Sequence, residues 1–308
     1  MTRSHTIEIV SPSGYPPDMA AVERGVARLR AQGHRVSGEE VAQRRYLRFG
    51  GTDAQRAGDL NRLADPAHPL PDIVLALRGS YGAVRILDLL DYAGLAGRLA
   101  GVPIAICGHS DFTAIQLALF ARAGLVTFGA PMLTANFGAE AISAFTDECF
   151  WTALESSEFT VREIVAQRVE IDVSGTLWGG NLAMIAALVG TPYMPHIDGG
   201  ILFVEDVNEH PYRVERMLYQ LHHAGILARQ RALILGDFIG GKLAPIDNGY
   251  DFSAMLEHIR TVTGVPIVTG LRFGHGSELV TLPFGARARL QADGDGFSLT
   301  VGGHPTLA

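Results

Sequence analysis

Ser110 stands where a hydroxyl could act as a nucleophile. It follows Pro103-Ile-Ala-Ile-Cys107, an apolar run that reads as a buried strand, and precedes Asp111–Ala123, which has the apolar spacing of a helix. A side chain in that bend is held out at the carboxyl edge of a sheet, beside the N–H groups of a helix's first turn. This is the setting of a nucleophile elbow, although Phe112 takes the last glycine place of the usual G-x-S-x-G pattern. The same two residues, Ser110 and Asp111, equally suit a plain helix cap.

A serine hydroxyl needs a base, because it is almost fully protonated at neutral pH. His109 adjoins Ser110 in a tight bend, where neighbouring side chains diverge, and His222 and His223 fall on a helix with a solvated face. His275 lies between Gly274 and Gly276 in a loop after the strand at Pro266–Val268, which presents it on flexible backbone at a strand end. A base histidine in turn needs an acceptor to fix its tautomer. Glu205 ends the apolar run Ile201–Val204, where a charge is costly unless paired. Ser110, His275 and Glu205 make one consistent set; other pairings remain open on these grounds.

The elements around these residues alternate. Strands are expected at Thr6–Val10, His34–Ser37, Asp72–Leu77, Pro103–Cys107 and Leu125–Phe128, with helices at Asp18–Gln32, from Thr52 through Leu63, after Gly82, and at Asp111–Ala123. Such alternation predicts βαβ units and a parallel sheet covered on both faces, with ligands at the carboxyl ends of its strands. The pattern turns irregular and polar from about 139 to 170, apart from a helical piece near Phe150–Leu154. Beyond it, Gly175–Asn181 reads as a glycine-rich bend before a helix at Leu182–Val189. Gly200–Val204 reads as a buried strand, Pro211–Ala224 as an amphipathic helix, and Leu279–Val301 as strand-like. The fold class expected is α/β: an N-terminal three-layer domain with a parallel sheet (1–140), a linker region (141–170) and a C-terminal α/β domain (171–308). The active site falls between the two domains.

A net charge of −7, with no basic cluster, argues against nucleic acid as a partner. The amino-terminal residues show no apolar export signal, and no run is long enough to span a membrane, so a cytoplasmic protein is expected. Two cysteines, Cys107 and Cys149, cannot form a disulfide framework.

The ordered motifs resemble the bacterial LD-carboxypeptidases, most closely the muramoyltetrapeptide carboxypeptidases of murein recycling. They are Ser11-Pro-Ser-Gly14, Arg78-Gly-Ser-Tyr-Gly82, Gly108-His-Ser-Asp-Phe-Thr-Ala-Ile-Gln116, Gly175-Thr-Leu-Trp-Gly-Gly-Asn-Leu182, Gly190-Thr-Pro-Tyr193, Ile201-Leu-Phe-Val-Glu-Asp206, Asn208–Arg216 and Phe273-Gly-His275. The resemblance implies Ser110 as nucleophile, Glu205 as orienter and His275 as base, with no metal and no cofactor. It implies cleavage between the L-centre of a diamino acid and a terminal D-alanine in a murein tetrapeptide, commonly by a homodimer. Oxyanion donors are expected from the backbone of Asp111 and of Ser80, and substrate contacts from Arg78, Gly79 and Tyr81. Arg78, Arg85 and Arg272 are candidates for the terminal carboxylate, since a guanidinium matches a carboxylate bidentately.

Two positions depart from the family pattern: Ser80 and Ala130 stand where glycine is common. Three rival readings stand beside this one. One is an immunity-type hydrolase of the same fold acting on peptide–nucleotide antibiotics. The second is a zinc carboxypeptidase using His275-Gly-Ser-Glu278 with His304. The third is a non-catalytic muropeptide sensor.

Overall fold

The computed structural model describes residues 3–307. Strand β1 (Thr6–Val10) leads to helix α1 (Met19–Ala31), which Asp18 caps by accepting from the N–H groups of Ala20 and Ala21. β2 (Arg35–Ser37) and α2 (Asp53–Asn61) follow; Thr52 and Gln55 close a capping box at the start of α2. β3 (Ile73–Ala76) is wholly buried. The single helix expected after Gly82 is instead two short 3₁₀ turns and then α3 (Tyr92–Leu99). β4 (Ala105–Gly108), a 3₁₀ turn at Ser110–Phe112, α4 (Thr113–Ala123) and β5 (Thr127–Gly129) complete this half.

The stretch 141–170 holds α5 (Ala144–Glu155) and β6 (Glu158–Glu163). It read as irregular because β6 is an edge strand, paired only with one neighbour and half exposed, so it lacks a continuous apolar run. β7 (Ile171–Asn181) also departs from the sequence reading, since the glycines expected to bend the chain lie inside a strand. At Gly179 (φ +148°) a Cβ would lie 1.8 Å from the carbonyl oxygen of Phe203 on the neighbouring strand, so glycine serves close approach here rather than a turn. α6 (Leu182–Leu188), β8 (Gly200–Val207), α7 (Pro211–His223), β9 (Gln230–Ile239), α8 (Phe252–Thr263) and β10 (Ile267–Thr269) continue the alternation. The chain ends in β11 (Leu282–Phe284), β12 (Arg287–Ala292) and β13 (Phe297–Gly302).

The first sheet has the order β11-β5-β4-β3-β1-β2, parallel except for β11. The second has the order β10-β9-β8-β7-β12-β13-β6, parallel from β7 to β10 and antiparallel beyond. One apolar cluster joins the halves: Ile106, Phe112 and Leu117 from the first share it with Trp178, Leu202 and Val204 from the second. Among the described residues no helix is long and apolar enough to cross a membrane.

Candidate active site

Ser110 sits at the carboxyl edge of the first sheet, where buried β4 meets α4, and its φ of +62° is left-handed. For a residue with a Cβ this conformation is strained, and it is held by the packed strand and helix on either side. His275 comes from the loop after β10, and its Nε2 lies 3.1 Å from the Ser110 hydroxyl. The other ring nitrogen, Nδ1, lies 2.8 Å from a carboxylate oxygen of Glu205. In the neutral ring Nδ1–H donates to Glu205 and Nε2 accepts from the serine hydroxyl. Three residues far apart in sequence thus form one hydrogen-bonded relay.

Glu205 is fully buried in β8 rather than at the end of that strand. The pairing of β8 with β9 slips between Val204 and Asp206: Gly236 and Asp237 of β9 together stand opposite Glu205, so the extra residue of the bulge lies on β9. The second oxygen of Glu205 accepts from the Asn181 amide at 3.1 Å, and the same amide reaches Asp206 at 3.1 Å. The backbone N–H of Asn181 donates to the Thr113 hydroxyl on α4, tying the glutamate's strands to the nucleophile's helix. Burial pushes the Asp206 carboxyl up to about 6 against its own hydrogen bonds. Asp237 on β9 holds the base loop: its carboxylate accepts from the Gly276 N–H at 3.2 Å, and its N–H donates to the Phe273 carbonyl. Neither Asn181 nor Asp237 was singled out from sequence as a site residue. Asn181 sits within a quoted motif, whereas Asp237 carries no motif at all.

Burial alone would depress the His275 imidazole. The hydrogen bond and charge of Glu205, with Asp206 and Asp237 farther off, outweigh it, and the net shift is upward. His109 packs edge-on against His275, 5.4 Å between ring centres, while its Nδ1 meets the Ala130 carbonyl at 2.9 Å. Burial, aided by the nearby His275, lowers it to about 4, so it is a neutral neighbour at physiological pH.

Asp111 points its carboxylate away from the cleft. One oxygen accepts from the Ser13 hydroxyl at 2.6 Å and the Ala83 N–H at 2.8 Å, so Asp111 pins two loops to the nucleophile turn. Gly79 lies so near the nucleophile that a Cβ there would sit 2.8 Å from the Ser110 hydroxyl oxygen. Ser80 has a φ of +91°, the left-handed region that glycine would occupy without strain. A cleft of about 350 Å³ is lined by Arg78, Gly79, Ser80, Ser110, Thr134 and His275.

The arginines separate clearly. Arg85 is paired with Asp53 and Arg272 with Glu163 and Glu278, which engages two of the three carboxylate candidates. Arg78 borders the cleft, donates to the Tyr15 carbonyl at 2.8 Å and has no carboxylate partner among the described residues. Tyr81 is not part of the cleft lining; its ring, 40% exposed, leans on Phe49. The zinc ligands considered from sequence do not converge. Glu278 pairs with Arg272, and His304 meets the carbonyls of Ala153 and Ser156. Among the described residues no group of three or more His, Cys, Asp or Glu side chains is arranged to hold a metal ion.

Residues 7–130 match the LD-carboxypeptidase N-terminal domain, and residues 174–290 match the LD-carboxypeptidase C-terminal domain. The chain belongs to the LD-carboxypeptidase family. It is 44% identical to the muramoyltetrapeptide carboxypeptidase from Oxalobacter formigenes, whose crystal structure superposes with a TM-score of 0.91 over 98% of this chain and 100% of that one. It is 32% identical to the murein tetrapeptide carboxypeptidase of Pseudomonas aeruginosa over 81% of each chain. The family also includes the microcin C7 self-immunity protein of Escherichia coli, 27% identical over 90% of this chain and 87% of that one. Membership makes this LD-carboxypeptidase homologue a peptidase with the two-part α/β fold of its relatives.

Proposed function

We propose that this LD-carboxypeptidase is a serine enzyme that removes the terminal D-alanine from murein tetrapeptides, in cytoplasmic recycling of the cell wall. The observation that carries the reading is the Glu205–His275–Ser110 relay, with spacings of 2.8 and 3.1 Å, opening on a cleft that also holds Arg78. Ser110 attacks the carbonyl of the L-centre while His275 takes its proton at Nε2, and buried Glu205 stabilises the imidazolium. The N–H groups of Asp111 and Ser80 face the developing oxyanion. His275 then protonates the departing amine of D-alanine, and water, deprotonated by the same ring, releases the acyl group and restores the serine. Arg78, which has no carboxylate partner of its own among the described residues, receives the terminal carboxylate of the substrate.

Mass spectrometry of a muramoyl-tetrapeptide and of the free tetrapeptide after incubation tests this reading; loss of one alanine is the expected result. Ser110→Ala should lower turnover by roughly three or more orders of magnitude, and prolonged chelation should leave the rate unchanged. Chelation-sensitive cleavage that survives Ser110→Ala would overturn the serine mechanism. Likeness to the microcin self-immunity protein supports a second reading, hydrolysis of an aminoacyl-sulfamoyl nucleoside. Cleavage of such a compound with no action on the tetrapeptide would favour it.

A further inference from the structure

Seven arginines lie between residues 44 and 85, and they fall into two groups. Arg44, Arg56, Arg62 and Arg85 are each held by carboxylates: Asp59, Asp53, or Glu8 with Asp59. Arg45, Arg48 and Arg78 have no carboxylate within 4 Å among the described residues. Arg78 lines the cleft, and exposed Arg45 and Arg48 stand just outside that lining. The Arg78 side chain donates to the Tyr15 carbonyl, and the Arg45 guanidinium lies 4.6 Å above the ring of that same tyrosine. The Arg48 guanidinium lies 5.6 Å from the Tyr81 ring centre and reaches the Ser80 hydroxyl at 3.4 Å. Arg48 is near enough to Arg78 for its charge to add to burial in lowering the Arg78 pKa. In a chain of net charge −7, three neighbouring cations left without counter-charges are a local exception.

The backbone that carries them is strained. Tyr46 and Phe49 exchange both backbone hydrogen bonds, at 3.1 and 2.9 Å, closing a two-residue turn whose tip is Leu47-Arg48. Leu47 takes a φ of +56°, a place where glycine is usual. Of the five non-glycine residues with positive φ among the described residues, three lie in this region: Leu47, Ser80 and the nucleophile Ser110. Strain of this kind persists where the surroundings over-determine it, and it collects at ligand clamps. The serine at position 80 therefore has a use that glycine lacks: its hydroxyl accepts from Arg48 and tethers the turn tip to the nucleophile's loop.

We infer that Arg45 and Arg48, presented by the 44–50 turn, form an anion subsite beside Arg78 that takes a second carboxylate of an acidic peptide substrate, distinct from its terminal one. This rests on the carboxypeptidase reading above, in which Arg78 takes the terminal carboxylate. Two guanidinium groups laid on tyrosine faces are pre-organised, and an anionic ligand relieves the repulsion between Arg48 and Arg78. Selection would follow: a peptide that presents two carboxylates is held at both, and an ordinary neutral peptide is held at one.

The test uses two synthetic tetrapeptides with free terminal carboxylates, one with a second, internal carboxylate and one with that group amidated. For the native enzyme the ratio of their kcat/KM values should be about ten or more, as charge-assisted hydrogen bonds allow. Arg48→Gln should bring that ratio toward one, mainly through KM, and Arg45→Gln should lower it in the same direction. Arg122→Gln, which makes the same charge change on α4, should keep the native ratio. The Ser110→Ala protein, titrated calorimetrically with both peptides, should show the same preference in Kd. A native ratio near one, or a ratio indifferent to Arg45 and Arg48, overturns the subsite while leaving the carboxypeptidase reading intact. Carboxylate-dependent binding that Arg48→Gln abolishes, with no cleavage of either peptide by the native chain, supports the anion subsite and instead overturns that reading.

Discussion

At the scale of single residues, the chemistry rests on how three side chains set one another's protonation. His275 must be neutral to accept the serine proton, and Glu205 pushes its pKa above the ordinary histidine value. The kcat/KM profile should therefore fall on the acid side, with a midpoint above about 6.5. Glu205→Gln removes the raising influence, so burial should then dominate and carry the acid limb to lower pH. The same change should cost roughly four orders of magnitude in rate, since the wrong tautomer of His275 is favoured. An acid limb that stays in place in Glu205→Gln would mean that another group is being titrated. A triad also acts as a unit: Ser110→Ala combined with His275→Ala should be hardly slower than either alone. Losses that simply multiply would remove His275 from its role as base for Ser110.

At the scale of elements, loops from four places are pinned around the nucleophile turn. Asp111 binds the Ser13 and Ala83 segments, Asp237 binds the His275 loop, and Gly79 closes over the Ser110 hydroxyl. Gly79→Ala tests how tight this closure is. The φ of Gly79 is not left-handed, so the backbone can keep its conformation, yet the added methyl would sit 2.8 Å from the hydroxyl oxygen and must displace it. A displacement near 1 Å at reacting atoms can cost about 100-fold, so kcat should drop by that order while the circular dichroism spectrum is retained. Full activity in Gly79→Ala would show that this loop does not press on the nucleophile in solution.

At the scale of the molecule, the halves are interlaced. β11, from the far end of the chain, adds to the edge of the first sheet beside β5, and Leu307 joins the core under that sheet with its N–H on the Leu154 carbonyl. A shared apolar cluster runs between the sheets. Urea unfolding should accordingly be a single transition, with tryptophan fluorescence and far-UV circular dichroism giving coincident midpoints. Two resolved transitions would mean that each half holds a core of its own. A fragment ending near residue 140 should fail to fold alone, because it lacks β11 and α5 and exposes the flank they cover.

Ser110 and its strand-to-helix turn were legible in the amino-acid order because everything that makes the turn is local. An apolar run, a bend and an amphipathic helix are contiguous, and short-range spacing carries them. Glu205 and His275 were legible as candidates for a similar reason, a charge ending a buried run and a histidine between glycines. Their pairing with Ser110 was reached from sequence only as one option among several, because 70 and 165 residues separate the partners and only folding brings them together. Asp237 gave no local sign, since its role is made by the neighbouring loop packed against β9. Gly175–Asn181 was misread for the mirror-image reason: glycine's local signal is a turn, whereas here the strand next door requires the missing side chain. The order of residues thus determined the elements and the kinds of chemistry available. Which carboxylate faces which base, which arginines are left without partners and where β9 bulges opposite Glu205 are set by long-range packing, which no local pattern encodes.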